Sequence, residues 1–491
     1  MPAHPHDLII GLEVHVQLQT LTKLFCRCST KFGAPPNTQT CPICIGMPGS
    51  LPVMNREAFR LSLKTALALN CEIPEFTKWD RKQYYYPDLP KGYQISQYDL
   101  PMSQHGWLAI SDLKGEFQPK RVGIIRAHLE EDAGKSLHDE QHGKADTRID
   151  LNRTGTPLLE IVSAPDMRST KEARAYLTEL RLMLLYLGVS DCNMQEGSLR
   201  VDANVNIHIH TPQGKIATPI VEIKNLNSFR HVERALAYEE QRQYQVWEET
   251  GRTIADAPKQ TRGWDDAKGI TLPQREKEEA ADYRYFPDPD LAPVITPRAD
   301  VEQVRGNLAE LPVAIRQRLE QSYGITPYDA DVLVTQGRSC VDYYETVAQT
   351  SGEGKKAANW VTQEVLRVLN ESGGTLETFS ISAVGLGQLV KLVVTGDLDV
   401  TRAKEVFADM LTSKRNATES MAALGIVKVD NSELEAICAE LVAANPKIVA
   451  DVKAGKQQAV GGLLGQAKKR NPNANPSEVR RICLELIEKM G

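Results

Sequence analysis

The sequence predicts an α+β fold, a mostly antiparallel sheet with one open polar face, followed by two all-α domains. Three observations carry this. Residues 8–18 and 201–210 alternate apolar and polar with period two. Helices interrupt the strands without a regular βαβ cadence, and helical patterning takes over after about residue 294. The 491 residues then divide into a first domain over 1–294, a helical domain over 295–415 and a helical tail over 416–491.

In the first strand Leu8, Ile10, Leu12, Val14, Val16 and Leu18 are apolar, while Gly11, Glu13, His15 and Gln17 take the other face. A helix over 55–70 starts at an Asn55 N-cap, and strands follow at 121–127 and 157–162. The helix over 169–187 opens on a Ser169-x-x-Glu172 capping box and stops at Gly188. In the second alternating strand Val201, Ala203, Val205, Ile207 and Ile209 oppose Asp202, Asn204, Asn206, His208 and His210. A strand over 219–224 and a helix from about 227 to 250, ending at Gly251, complete the pattern. The run Tyr283-Arg284-Tyr285-Phe286-Pro287-Asp288-Pro289-Asp290 breaks both periodicities and marks the boundary near 294. In the tail, helices over 430–444, 445–454 and 476–490 surround a Gly461-Gly462 stretch.

Hydrophobic content of 41% and charged content of 25% exclude a disordered or collagen-like chain, and no apolar run approaches the ~18–20 residues that span a bilayer. Met1-Pro2-Ala3-His4-Pro5-His6 lacks the basic patch and apolar core of a secretory signal, so the expected location is cytoplasmic. A net charge of −6 argues against binding nucleic acid through bulk charge, so any such contact is local.

Cys26-x-Cys28, a 12-residue gap and Cys41-Pro-Ile-Cys44 form a four-thiolate set of zinc-ribbon character. Four protein ligands leave no open position, so the zinc would be structural. The acids Glu13, Glu130, Glu131, Asp132, Glu160, Asp202 and Glu222 lie on or at the ends of strands, together with His15. Carboxylates on adjacent strands suit Mg²⁺, although a solvated sheet face explains them equally from spacing alone. Arg81, Lys82, Lys135, Arg153 and Lys224 lie close in sequence to these acids, as phosphate clamps do. No phosphate loop is present, since Gly143-Lys144-Ala145 lacks both the leading glycine and the hydroxyl residue, and nothing resembles a glutaminase.

Longer strings resemble one family. Gly11-Leu12-Glu13-Val14-His15-Val16-Gln17, Asp80-Arg81-Lys82, Tyr85-Tyr86-Pro87-Asp88, His128-Leu129-Glu130-Glu131-Asp132-Ala133-Gly134-Lys135 and Asn152-Arg153-Thr154-Gly155-Thr156-Pro157 are similar to the B subunits of aspartyl/glutamyl-tRNA amidotransferases. Glu196-Gly197-Ser198-Leu199-Arg200-Val201-Asp202-Ala203-Asn204, Lys224-Asn225-Leu226-Asn227-Ser228-Phe229 and Asp282-Tyr283-Arg284-Tyr285-Phe286-Pro287 continue the resemblance in order.

The resemblance implies a glutamine-synthetase-like cradle that uses ATP to phosphorylate the side-chain carboxylate of Glu-tRNA(Gln) and/or Asp-tRNA(Asn), then passes it to ammonia. It implies as partners the amidase (glutaminase) A subunit, the small C subunit, the misacylated tRNA and a matching aminoacyl-tRNA synthetase, with no membrane. It implies His15, Glu131 and Glu160 as Mg²⁺ ligands, with Glu13 and Asp202 as catalytic neighbours, and zinc on Cys26, Cys28, Cys41 and Cys44. Lys82 and Arg153 fall on basic positions of the family and are read as catalytic. The family tail grips the body of tRNA, which directs attention to the basic tail: residues 451–491 hold eight basic against four acidic residues. Lys468, Lys469 and Arg470, expected in a loop before the Asn471-Pro472 turn, are the candidate tRNA contacts. The alternative is a non-catalytic, zinc-containing tRNA-binding scaffold.

Overall fold

Period-two alternation builds the centre of the molecule. In the computed structural model, which describes residues 4–138, 147–256, 259–274, 283–426, 431–471 and 473–490, strand β1 (His6–Gln17) is the middle of a nine-stranded sheet. Its other strands are β2 (Gln104–Ile110), β3 (Lys120–Glu131), β4 (Pro157–Ser163), β5 (Leu199–Thr211), β6 (Gly214–Ala217), β7 (Val221–Lys224), β8 (Gln260–Asp265) and β9 (Ile270–Pro273). The order is β9-β8-β7-β5-β1-β4-β3-β2, with β6 hydrogen-bonded to β5. Every pairing is antiparallel except β7 with β8, so the expected mostly antiparallel α+β sheet is what forms. Residues 1–3, 143–145, Asp282 and Pro472 lie outside the described residues.

One face of this sheet is apolar. Ile10, Leu12, Val14, Val16, Leu129, Ile161, Val201, Ala203 and Ile207 are all buried in one continuous core. Helices α1 (Arg56–Ala68), α2 (Thr170–Tyr186) and α3 (Phe229–Thr250) lie against β3, β2 and β5 and bury Leu61, Tyr176, Leu180 and Leu236 there. Each helix starts on a side-chain cap. Asn55 accepts from the Glu57 and Ala58 amides, Ser169 from Glu172, and Ser228 from His231. The Ser169 box is only half formed, because the Glu172 carboxylate accepts from the Arg168 amide and from Lys120 instead. Gly251, at φ +66°, supplies the left-handed residue that ends α3.

The chain divides into two units, residues 1–312 and 313–491. The first runs past the expected boundary at 294 because helix α4 (Arg298–Gly306) packs on α1, with Val301, Val304, Leu308 and Leu311 joining the same core. Among its described residues the second unit holds helices and their connections, with no strand. Within it Asn431–Ala444, Gly461–Arg470 and Pro476–Lys489 close around Leu434, Cys438, Leu441, Leu463, Val479, Ile482 and Cys483. Gly461 and Gly462 begin a helix, and Lys468, Lys469 and Arg470 form its exposed last turn rather than a loop. Cations at a helix C-terminus interact favourably with the dipole, which explains the difference. Arg470 is also paired with Glu440.

Candidate active site and cysteine centre

Strand register decides which polar groups meet. Residues that pair across an antiparallel ladder share a face, so one row links His128, Glu160, His15 and Arg200, and another links Glu13 with Asp202. Two clusters result. In the first, His15 Nε2 and His128 Nε2 lie 3.6 and 3.5 Å from Glu160 Oε2, and Glu130 Oε2 lies 3.9 Å from His128 Nε2. His15, Glu130 and Glu160 each offer a ligand atom within 4.8 Å of the others. In the second, Glu13, Asp202 and Glu222 meet within the same limit.

This register corrects one sequence expectation. Glu131 is one residue out of phase, so its side chain leaves the shared face and Glu130 takes its place beside His15 and Glu160. Glu131 instead accepts from the Ile95 amide at 2.8 Å and pairs with the buried Lys91. The signal was legible: Arg126, His128 and Glu130 share one parity of β3. Lys91, His128 and Arg200 went unassigned because their partners come from distant segments.

The electrostatics fit a cation-binding face. Burial, then the charge of Glu160, pushes the Glu130 carboxyl up to about 7. Burial alone would lower His15, but its contact with Glu160 and the nearby carboxylates raise it to about 9. His128, buried with fewer compensating charges, is lowered to about 4 and stays neutral. Oxygen donors joined by one imidazole suit Mg²⁺, and the buried Asn204 Oδ1, whose amide donates to Glu13 at 2.8 Å, has no hydrogen-bond partner among the described residues.

Cations border the clusters. Lys224 Nζ contacts Asp202 at 2.8 Å and Glu222 at 3.3 Å. Lys82, on the short strand Asp80–Gln83, holds its ammonium 5.0 Å from the Tyr283 ring centroid. Burial opposes its charge, but Glu130 and other neighbours outweigh that and keep it firmly protonated. Arg200 pairs with Asp132 at 2.9 Å. Arg153 donates to the Ala133 carbonyl at 2.9 Å and lies 3.6 Å from Asp132, so it braces the 132–134 turn as well as facing the cleft. Lys31, Lys135, Arg153, Arg200 and Lys224 all line a cleft of about 550 Å³ that reaches Asp202.

The four cysteines also converge, with Sγ atoms within 4.8 Å of one another. Cys44 is held down to about 4, first by its contact with Cys26 and also by Lys23, while Cys28 is pushed up to about 11 chiefly by burial. Four sulfurs at this spacing fit tetrahedral zinc.

Residues 8–302, which carry both carboxylate clusters, match the family described as "GatB/GatE catalytic domain", and residues 342–487 match "GatB domain". Among curated relatives, the chain is 61% identical to the B subunit of the aspartyl/glutamyl-tRNA(Asn/Gln) amidotransferase of Rhodopirellula baltica, over 99% of this chain and 98% of that one. The protein of the same name from Carboxydothermus hydrogenoformans is 47% identical over 99% of both chains, and that from Moorella thermoacetica 45% over 98% and 100%. The chain belongs to the B-subunit family of the tRNA-dependent amidotransferases. Among the described residues no helix is long and apolar enough to cross a membrane.

Proposed function

We propose that this chain uses ATP to phosphorylate the side-chain carboxylate of misacylated Glu-tRNA(Gln) and/or Asp-tRNA(Asn), then presents the acyl phosphate to ammonia. Phosphate leaves as the amide forms. The observation that carries this reading is the pair of clusters, His15 with Glu130 and Glu160 and Glu13 with Asp202 and Glu222, whose Glu13 and His15 share one face of β1. Mg²⁺ held by these groups would supply charge neutralisation at the nucleotide phosphates. Lys224, Arg200 and Arg153 line the adjoining cleft and offer charge-assisted donors to a polyphosphate. Lys82, kept protonated beside Glu130 and Glu160, is suited to orient the incoming carboxylate and offset the charge that develops on it.

The relatives' name, which makes each the B subunit of an amidotransferase, supports a complex of several subunits; the partners proposed within it are an amidase A subunit that releases ammonia from glutamine, a small C subunit and a matching aminoacyl-tRNA synthetase. Zn²⁺ on Cys26, Cys28, Cys41 and Cys44 would order the loop, and Lys468, Lys469 and Arg470 would contact tRNA phosphates. The test is ATP hydrolysis by the purified complex with and without Glu-tRNA(Gln) or Asp-tRNA(Asn). Hydrolysis stimulated by either supports the reading, whereas none with either leaves a tRNA-binding scaffold.

A further inference from the structure

Lys23 is fully buried, which is unusual for a lysine. Its ammonium has three N–H groups and three acceptors: the Gln39 carbonyl at 2.7 Å, the Leu151 carbonyl at 3.5 Å and Cys44 Sγ at 3.7 Å. Among the described residues no carboxylate forms an ion pair with it. A buried charge without a counter-charge is costly, and two neutral carbonyls do not neutralise a cation. The cysteine centre, whose Cys44 Sγ the ammonium contacts, would supply that charge, since four thiolates outweigh one Zn²⁺ by two negative charges.

The same neighbourhood is stitched to the turn that carries Arg153. Leu24 N donates to the Gly155 carbonyl at 2.8 Å, Gln39 N to Asn152 Oδ1 at 2.8 Å, and Leu151 N to Asn37 Oδ1 at 2.8 Å. A Cβ added at Gly155, whose φ is +82°, would lie within 3.5–3.8 Å of Cys44, Lys23 and Glu131. The cysteine loop, Lys23 and the Arg153 turn therefore form one packed junction, and the loop supplies Lys31, Phe32 and Gly33 to the cleft wall.

We infer that Lys23 is the internal counter-ion of the four-thiolate centre and ties it to the 149–155 turn, so that zinc occupancy sets the position of Arg153. This rests on the zinc reading above. The test uses the full-length chain in Lys23→Met, which keeps length without charge, and Lys23→Gln, which keeps a donor without charge. Zinc content and equilibrium competition against a chromogenic chelator are measured first on the wild type. Both variants should bind zinc about 10–100-fold more weakly, the usual effect of removing an outer partner of a ligand. In the wild type, stripping zinc should raise hydrogen exchange at 149–155 together with 26–44, while β1 and β5 stay protected.

A wild-type chain that takes up no zinc overturns the zinc reading and the inference with it. Zinc held equally by wild type and both variants overturns the role of Lys23 alone. If neither variant folds, the wild-type exchange experiment decides: unchanged protection at 149–155 after stripping refutes the tie.

Discussion

Neighbouring glutamates on β3 should fail in opposite ways. Glu131 and Lys91 are 2% and 5% exposed at their side chains, a buried ion pair. Glu131→Gln keeps an acceptor for the Ile95 amide but leaves the Lys91 ammonium buried and unpaired, which costs about 3–5 kcal/mol. For a unit of 312 residues, which unfolds with an entropy of about 0.66 kcal/mol/K, that lowers Tm by roughly 5–8 °C. Lys91→Met in the same background should recover most of the loss, because the orphaned charge is gone. Glu130 is different: pushed up to about 7 by burial and then by the charge of Glu160, it is destabilising as a carboxylate when no cation is present. Glu130→Gln should therefore melt within about 1 kcal/mol of wild type. It should nevertheless lower tRNA-dependent ATP hydrolysis about 10²–10³-fold, the usual loss when a preorganised charge at a reacting phosphoryl is removed. Thermal melting and the ATPase assay on the same preparations separate the two. A Glu131→Gln protein with wild-type Tm and no ATPase, beside an active Glu130→Gln protein, would show that the register argument is wrong.

Other outcomes follow from the same geometry. Cys41→Ser should lower zinc content and expose 26–44 to proteolysis while leaving the sheet folded; a metal-free wild type with an intact loop would count against it. Because His15 is raised from 6.5 to about 9, its contribution to metal-free stability is complete below 6.5 and lost as pH rises through 9. That amounts to about 3 kcal/mol, and a His15→Gln protein whose stability falls just as steeply between pH 6.5 and 9 would rule this out. Neutralising Lys468 and Lys469 should raise the KM for tRNA and reduce the salt slope of binding by about one per lost phosphate contact. Arg470, already paired with Glu440, should matter less, and unchanged tRNA binding across a salt series would remove the tail from the interface.

The sequence by itself determined the local structure and the chemistry at hand. Alternation over 8–18 and 201–210 is strand because successive side chains must point to opposite faces, and Asn55, Ser169 and Ser228 start helices because their side chains satisfy amides that a helix leaves free. The four-cysteine spacing and the strings around Glu13, Glu160 and Asp202 were equally legible, since each is contained in a few residues. Tertiary structure decided what meets across strands. The parity that Glu130 shares with His128 could be read along the strand, but only the β3–β4 and β4–β1 pairings bring that face of β3 to Glu160 and His15. The Lys91 partner of Glu131, the burial of Lys23 among carbonyls and thiols, and the place of α4 on α1 are likewise contacts between segments far apart in the chain. Local periodicity carries no term for such contacts, which exist only once the sheet has closed and water has been excluded from around them.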